Sequence, residues 1–235
     1  TWYCYFVPTA FWDAENASKP NRFGALDATR HVIFRFVSNF RDWRDSYDRP
    51  LWNEWKALLE PVLAQATAPY GYERADFPRV MLARMAPGGV IHPHRDENPA
   101  AKWPHKIHVP LVTNENVTFF VDGNQYHFAE GEAVEVNNMG LHAVENRGTT
   151  DRIHLIFEYY DVDQPEPSTS STANTAVPGS SSSAGAGDTG RPDRASTTGD
   201  IGALGGTTST AMSTTPLWIA AICALIIALL LVPAL

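Results

Sequence analysis

The chain divides sharply near residue 163, and this division limits how much of it can form a packed core. Residues 1–162 contain all eight histidines, all eleven phenylalanines, all eight tyrosines and six of the seven tryptophans. Residues 163–215 contain no aromatic residue and are rich in Ser, Thr, Gly, Ala and Pro. Such a segment cannot bury enough apolar surface to offset the entropy lost on ordering. One folded domain followed by a flexible linker is therefore predicted.

The C-terminal segment, residues 216–235, is apolar and carries no charged side chain. A helix over 217–235 would nearly span a hydrocarbon layer of about 30 Å. We therefore predict a single-pass C-terminal membrane anchor. An alternative is a glycosylphosphatidylinositol (GPI) attachment signal, because small residues at Gly205 and Gly206, a polar spacer and an apolar end also fit that pattern. The side of the membrane on which the folded domain lies is open, since no residues follow the segment.

The charge balance argues against one class of partner. The 18 basic and 26 acidic residues give a net charge of -8, so no basic face for a nucleic-acid backbone is expected. The two cysteines, Cys4 and Cys223, cannot supply a disulfide framework that would report a compartment.

Two patterns describe the folded part. Pro50 marks the start of a helix, and apolar residues repeat at helical spacing over 51–63. From residue 78 the pattern changes to short β-rich runs separated by turn residues, which predicts a mainly β fold of the sandwich or jelly-roll type. The runs are RVMLARM (79–85), VIHPHRD (90–96), KIHVPLVT (106–113), VTFFVDG (117–123), NQYHFAEG (124–131), EAVEVNN (132–138) and RIHLIFEYY (152–160).

The VIHPHRD run holds the most informative residues of the chain. On an extended strand His94 and Asp96 point to the same face, so one metal ion can bind both. A third ligand is expected from a distant strand, and His142 follows a predicted turn. Two histidines and one carboxylate form a facial triad that suits non-haem iron(II) and leaves coordination positions for a co-substrate and dioxygen. His142 as a buried hydrogen-bonding residue is the alternative.

Arg152 opens the last β run, ten residues after His142. A buried guanidinium is a natural bidentate partner for a carboxylate, so a metal end and an arginine end together define a 2-oxoglutarate pocket. The alternative is a structural ion pair between Arg152 and Glu132 or Glu145.

The other histidines are assigned supporting roles. His92 shares strand parity with His94, and we interpret it as a packing residue or a partner of a ligand. His154 shares parity with Arg152 and is interpreted as a packed interior histidine. A loop over 98–104 that includes Trp103 is expected near the mouth of the pocket or as a hydrophobic plug. The histidines predicted to lie outside the site are His31, His105 and His127.

At this point the sequence resembles the aspartyl/asparaginyl β-hydroxylase family, over roughly residues 78–161. The resemblance implies a double-stranded β-helix, the cupin-like jelly roll, with N-terminal helices before it. It further implies that His94 and His142 bind the metal, that Arg152 binds the far carboxylate of 2-oxoglutarate, and that Lys106 and His108 lie near this co-substrate. The matching motifs are PGG (87–89), HPHRD (92–96), KIHVPL (106–111), GE (131–132), HAVEN (142–146) and the Arg152 strand.

Two positions depart from the family pattern. Lys106 stands where better-known members carry an arginine. Asp96 stands where the animal enzymes that give the family its name carry glycine and bind iron with two histidines. Asp96 therefore completes the triad of the wider superfamily.

The predicted organisation has four parts: an N-terminal helical and irregular part of the catalytic domain (1–77), a hydroxylase core (78–162), the linker (163–215) and the membrane segment (216–235). The predicted function is an Fe(II)- and 2-oxoglutarate-dependent dioxygenase that hydroxylates a C–H bond of an aspartyl, asparaginyl or prolyl residue. The substrate could equally be a free amino acid or a lipid. The alternative function is a non-catalytic or 2-oxoglutarate-independent cupin-like metal-binding module, tethered to a membrane.

Overall fold

The computed structural model describes residues 8–21 and 23–164, together with the backbone of Gly202–Ala203. The predicted membrane segment and most of the predicted linker lie outside these residues. None of the helices in the described part has the length and hydropathy needed to cross a bilayer. The helices are α1 (Thr9–Ser18) and α2 (Pro50–Thr67). The strands are β1 (Thr29–Val37), β2 (Ser46–Asp48), β3 (Ala75–Asp76), β4 (Val80–Met85), β5 (Val90–His94), β6 (His105–Val112), β7 (Val117–Val121), β8 (Asn124–Tyr126), β9 (Val134–Glu135), β10 (His142–Asn146), β11 (Arg152–Asp161) and β12 (Gly202–Ala203).

The strands form two antiparallel sheets. The first has the order β12-β9-β6-β11-β4-β1-β2, with β3 paired to β11, and the second has the order β5-β10-β7-β8. The prediction of a mainly β, antiparallel fold with N-terminal helices is therefore confirmed. The predicted β runs coincide with strands, although the EAVEVNN run forms only the two residues of β9.

The two faces of the first sheet have different neighbours. On β11, Leu155 and Phe157 are fully buried in a cluster that also contains Trp12 of α1 and Leu59 of α2. A second cluster joins the other face of this sheet, through Met85 and Val134, to the second sheet, through Val117, Phe119 and Val144. The sheets therefore face each other, and inward side chains such as Arg152, His154 and Glu158 lie between them because side chains alternate along a strand.

Helix α2 is close to the sequence prediction. Pro50 occupies its first turn, where the missing N–H costs no intrahelical hydrogen bond. Trp55, Leu59, Val62 and Leu63 are buried against the first sheet, as their helical spacing indicated.

Strand β1 is a feature that the sequence pattern did not reveal, because residues 1–77 were described as helical and irregular. It pairs with β4 from Thr29↔Met85 to Arg35↔Val80, with one irregularity between Ile33 and Arg35. The residues before position 78 therefore contribute three strands, β1, β2 and β3, to the same sheet as the core. Arg30, His31 and Arg35 interrupt the apolar run of β1 and hide its alternation in the sequence.

A buried ion pair anchors the segment that follows Asp96. The guanidinium of Arg79 donates to Glu158 over 2.5 Å, and their side chains are only 7% and 3% exposed. Arg79 also donates to Oδ1 of Asn98 at 3.3 Å and lies over the ring of Phe36. Because Asn98 leads into the turn Pro99–Ala101, this pair ties that turn to the first sheet.

We expect Arg79→Met to lower the free energy of unfolding by about 3–5 kcal/mol, because it leaves the Glu158 carboxylate buried without its counter-ion. The exposed pair Arg74–Asp163, with side chains 67% and 54% exposed, provides the control. Arg74→Met should cost less than about 1 kcal/mol. Chemical denaturation of both variants measures the difference, and equal midpoints would show that the Arg79 pair has no special structural role.

Candidate active site

The pairing of β5 with β10 places two histidines opposite each other. His94 ends β5, His142 begins β10, and the two residues are register partners with ring centroids 4.2 Å apart. Asp96 lies two residues beyond His94, and its Oδ1 is 4.0 Å from Nε2 of His94. One ligand atom from each of the three residues lies within 4.8 Å of the others, so the structure brings the predicted triad together.

Both histidines are held in the tautomer that a metal ligand needs. Nδ1 of His94 lies 2.8 Å from the carbonyl oxygen of His92, and Nδ1 of His142 lies 3.0 Å from that of Gly140. A carbonyl oxygen only accepts hydrogen bonds, so each Nδ1 carries the proton. Each Nε2 therefore presents a lone pair, and the backbone fixes the direction in which it points.

The environment of His142 favours the neutral ring that coordinates metals. Burial lowers the pKa of His142 below its ordinary value, and this effect outweighs the hydrogen bond to Gly140 and the nearby Asp96, which raise it. At neutral pH the imidazole is therefore available to a metal without first losing a proton.

The carboxylate of Asp96 is ionised, and neighbouring side chains hold one of its two oxygens. Burial would raise the pKa of this carboxyl, but the ammonium of Lys106 outweighs burial and keeps the pKa well below its usual range. Lys106 donates to Oδ2, and the side-chain amide of Asn138 lies 3.5 Å from the same oxygen. The backbone N–H of Asp96 also donates to the carbonyl oxygen of Asn138 at 2.9 Å. Oδ1 remains directed toward the histidines, which suits binding through one oxygen.

Strand β6 continues the polar lining away from the triad. Lys106, which the resemblance placed near the co-substrate, contacts Asp96 at the metal end. His108 is the next inward residue; it is 7% exposed, and its Nδ1 is buried without a hydrogen-bond partner in the described part of the chain. Burial lowers the pKa of His108 well below its ordinary value, so the ring is neutral.

Arg152 carries a buried charge that the described residues do not neutralise. Its side chain is almost fully buried, its Nη2 bonds to Nδ1 of His154 at 2.8 Å, and its Nε has no hydrogen-bond partner there. Burial lowers the pKa of Arg152 to about 9, which still leaves the guanidinium mostly protonated at neutral pH. A buried cation without a counter-ion is unfavourable, so an anionic ligand is expected at this position.

The alternative ion pairs of Arg152 are wrong. Glu145 forms its salt bridge with Arg147 at 2.6 Å, and Glu132 accepts a hydrogen bond from the backbone N–H of Ala129. Within the residues that the structure describes, every contact of Arg152 is to a neutral group.

Strand β7 relates the triad to Arg152. His142 pairs with Val121 of β7, and Phe119 lies two residues further along the same strand. The guanidinium of Arg152 lies 5.0 Å from the Phe119 ring. Two residues of strand correspond to about 7 Å, so the residue against which Arg152 lies is about 7 Å along β7 from the partner of His142.

Several predicted residues lie outside the triad. His92 is exposed, and only its carbonyl oxygen contacts His94. Trp103 is 43% exposed and packs near Trp43, with ring centroids 6.4 Å apart. The remaining histidines bond elsewhere: His31 to the carbonyl of Lys19, His127 to that of Val117, and His105 to Glu135 and Tyr72.

Sequence reasoning missed two residues beside the triad. Asn138 contacts the Asp96 carboxylate and donates to the carbonyl of Ala101 at 3.0 Å. Phe23 lies edge-on to His94, with ring centroids 5.3 Å apart, while remaining 48% exposed. Neither residue lies in a recognisable motif, and both reach the site only through the tertiary fold.

Residues 58–162 match the family model described as Aspartyl/Asparaginyl beta-hydroxylase, and this match contains the whole triad and Arg152. Over these residues the chain is similar to the aspartyl/asparaginyl beta-hydroxylase family. The family resemblance seen in the sequence is therefore confirmed. The match covers less than half of the chain, and a comparison with curated proteins gave no match.

Solved structures give weaker likenesses to this chain. An oxidoreductase of the 2OG-Fe(II) oxygenase family from Burkholderia pseudomallei is 15% identical, with a TM-score of 0.45 over 65% of this chain and 77% of that chain. A cupin domain from Bordetella pertussis Tohama I is 21% identical, with a TM-score of 0.29 over 37% of this chain and 83% of that chain. The DMSP lyase DddQ from Ruegeria pomeroyi DSS-3 is 15% identical, with a TM-score of 0.29 over 37% of this chain and 40% of that chain. These TM-scores are low, and the fold assignment rests on the observed strand pairing.

We expect the full chain to bind one Fe(II) or Mn(II) ion, and His94→Ala or His142→Ala to lose most of that affinity, because each removes an oriented Nε2 ligand. His92→Ala is the matched control, since it removes an exposed imidazole of the same motif but keeps the carbonyl that His94 uses. Metal titration with a chelator competitor measures all four proteins. Equal metal affinity in the wild type and both ligand variants would contradict the assignment.

Proposed function

We propose that the chain is an Fe(II)- and 2-oxoglutarate-dependent dioxygenase that hydroxylates a C–H bond. The observation that carries this proposal is that the interior between the sheets contains both a metal-binding triad and a buried arginine. One end holds the triad of His94, Asp96 and His142, and the other holds the buried, uncompensated guanidinium of Arg152. A keto acid with a second carboxylate satisfies both ends at once.

The fold supports the same proposal. Two facing antiparallel sheets, with an interior lined from both, agree with the double-stranded β-helix that the family resemblance implies. Two of the three proposed ligands, His94 and His142, lie on strands, which hold their directions better than loops would.

The residues of this chain would hold the metal, orient the co-substrate and exclude water. His94, His142 and one oxygen of Asp96 would hold Fe(II), and Arg152 would bind the far carboxylate of 2-oxoglutarate, with His108 beside it. Lys106 keeps Asp96 ionised and turned toward the metal position. The aromatic neighbours, Phe119 among them, keep water from the interior and so strengthen the charge interactions there. When bound, iron(II) with 2-oxoglutarate and dioxygen supplies the oxidation that inserts one oxygen atom into the substrate and leaves succinate and carbon dioxide.

We propose an aspartyl or asparaginyl side chain as the position hydroxylated, in line with the description of the family model, with a prolyl residue as the alternative. Phe23 supports an entry route on its side of the site, because it is exposed and yet contacts the ring of His94.

The rival function, a cupin-like module without 2-oxoglutarate turnover, leaves Arg152 unexplained. A metal-binding module needs only the triad. It does not require a buried guanidinium on the facing sheet. Loss of turnover would remove the advantage of maintaining this unfavourable charge.

We expect Arg152→Ala to keep its iron and to weaken 2-oxoglutarate binding by about 30-fold or more, equivalent to about 2 kcal/mol, because it removes a charge-assisted bidentate contact in a desolvated site. Arg152→Lys should recover only part of the affinity, since an ammonium lacks the planar fork. Succinate release as a function of 2-oxoglutarate concentration measures this effect.

The control for this experiment is Arg84→Ala, which removes an arginine of β4 that bonds to Asp151 at 2.7 Å. It should leave the 2-oxoglutarate dependence unchanged. If folded, iron-loaded Arg152→Ala showed the wild-type dependence on 2-oxoglutarate, the proposal would lose its main support.

We also propose that the C-terminal apolar segment attaches the enzyme to a membrane, on the support of its length and lack of charge. The full chain should then sediment with membranes, whereas a chain truncated after Pro165 should be soluble and equally active, because the catalytic residues all precede that position. Release by a phosphatidylinositol-specific phospholipase would assign the lipid anchor in place of the spanning helix. A full chain that stays in the soluble fraction would rule out both.

A further inference from the structure

His154 lies at the cationic end of the interior, two residues along β11 from Arg152. It is fully buried, stacks on Phe119 with ring centroids 5.6 Å apart at 19°, and meets the ring of His108 edge-on at 5.7 Å. In the sequence it could be interpreted only as a packed interior histidine. The structure adds a polar contact to that packing, from Nη2 of Arg152 to Nδ1 of His154 at 2.8 Å.

The chemistry of this contact fixes the protonation of His154. A guanidinium can only donate, so Nδ1 must accept, and the ring proton lies on Nε2. His154 is therefore neutral in this arrangement. Its own Nε2 is buried without a partner in the described part of the chain, and so is Nε of Arg152.

The contact also limits the freedom of the guanidinium. An arginine side chain has several rotatable bonds, and its fork binds a carboxylate with two parallel hydrogen bonds only when the plane is correctly turned. Here Nη2 donates one N–H to His154, and Cζ of Arg152 lies over the Phe119 ring, 5.0 Å from its centroid. Among the described residues the Nε–H, the second N–H of Nη2 and both N–H groups of Nη1 have no partner, so they are left for a ligand.

We propose that His154 is a positioning residue, which fixes the plane of the Arg152 guanidinium through its Nδ1 so that the fork meets the far carboxylate of the co-substrate. This inference rests on the proposed function, because it takes 2-oxoglutarate as the ligand. It assigns to His154 no contact with iron or with the reacting atoms. Its effect is on co-substrate affinity alone.

Three substitutions separate the two nitrogens of the ring. Asparagine can place its amide oxygen near the position of Nδ1, so His154→Asn keeps an acceptor for Arg152. Glutamine places its polar end near Nε2, so His154→Gln keeps a group there but loses the acceptor at Nδ1. His154→Leu removes both. His31→Leu is the control for loss of a buried histidine, because His31 lies on β1 and bonds to the carbonyl of Lys19 instead.

The experiment is calorimetric titration of 2-oxoglutarate into the full chain loaded with Mn(II) under anaerobic conditions, with the Mn(II) affinity and melting temperature of each variant measured alongside. His154→Leu and His154→Gln should bind 2-oxoglutarate about 10-fold more weakly than the wild type. The affinity of His154→Asn for 2-oxoglutarate should stay within about 3-fold of the wild type. All three variants should keep the Mn(II) affinity of the wild type. His31→Leu should lower the melting temperature without changing 2-oxoglutarate affinity.

The outcomes that overturn the proposal are specific. If His154→Gln retained affinity and His154→Asn did not, His154 would donate to the co-substrate directly through Nε2. If all three variants bound like the wild type, the residue would serve packing alone. If His154→Leu did not fold, the order of the asparagine and glutamine variants would still decide. If wild-type protein bound Mn(II) but not 2-oxoglutarate, the proposed function itself would fail.

Discussion

The antiparallel pairing of β5 with β10 is the constraint on which the site depends. It places His94 opposite His142, and the backbone carbonyls of His92 and Gly140 then turn both rings so that each Nε2 faces the same point. A slip of one residue in this register would move one histidine to the other face of the sheet. The opposition of the two histidines is therefore a property of strand pairing, and Asp96, two residues beyond the end of β5, is held beside them by the hydrogen bond from its N–H to the carbonyl oxygen of Asn138.

The interior of this protein is unusually polar for a packed core. Arg152, His108 and His154 are all buried, and each has at least one polar atom without a partner among the described residues. Orphaned buried polar atoms are unfavourable unless a ligand satisfies them. The large apolar cluster on the opposite face of the first sheet, with α1 and α2, supplies the stability that permits such an interior.

Local patterns predicted strands β4 to β9 and β11 and the three metal-binding candidates, since alternation along a strand depends only on neighbouring residues, whereas β10 and β12 lay outside the predicted β runs. Other features required contacts that no local pattern encodes. Arg79 meets Glu158 across 79 positions of the chain, and Asn138 meets Asp96 across 42. Lys106 reaches the carboxylate of Asp96 from β6, a contact between two strands that the sequence pattern does not encode.

The central claim is that one interior holds iron and a keto acid together. Its most direct test is the visible absorption of the full chain, reconstituted with Fe(II) under nitrogen and titrated with 2-oxoglutarate. Chelation of ferrous iron by the keto and carboxylate oxygens produces a charge-transfer band. The account predicts a band that saturates with one equivalent of 2-oxoglutarate and does not form with succinate, which has no keto group. An iron-loaded chain that shows no band at saturating 2-oxoglutarate would contradict it.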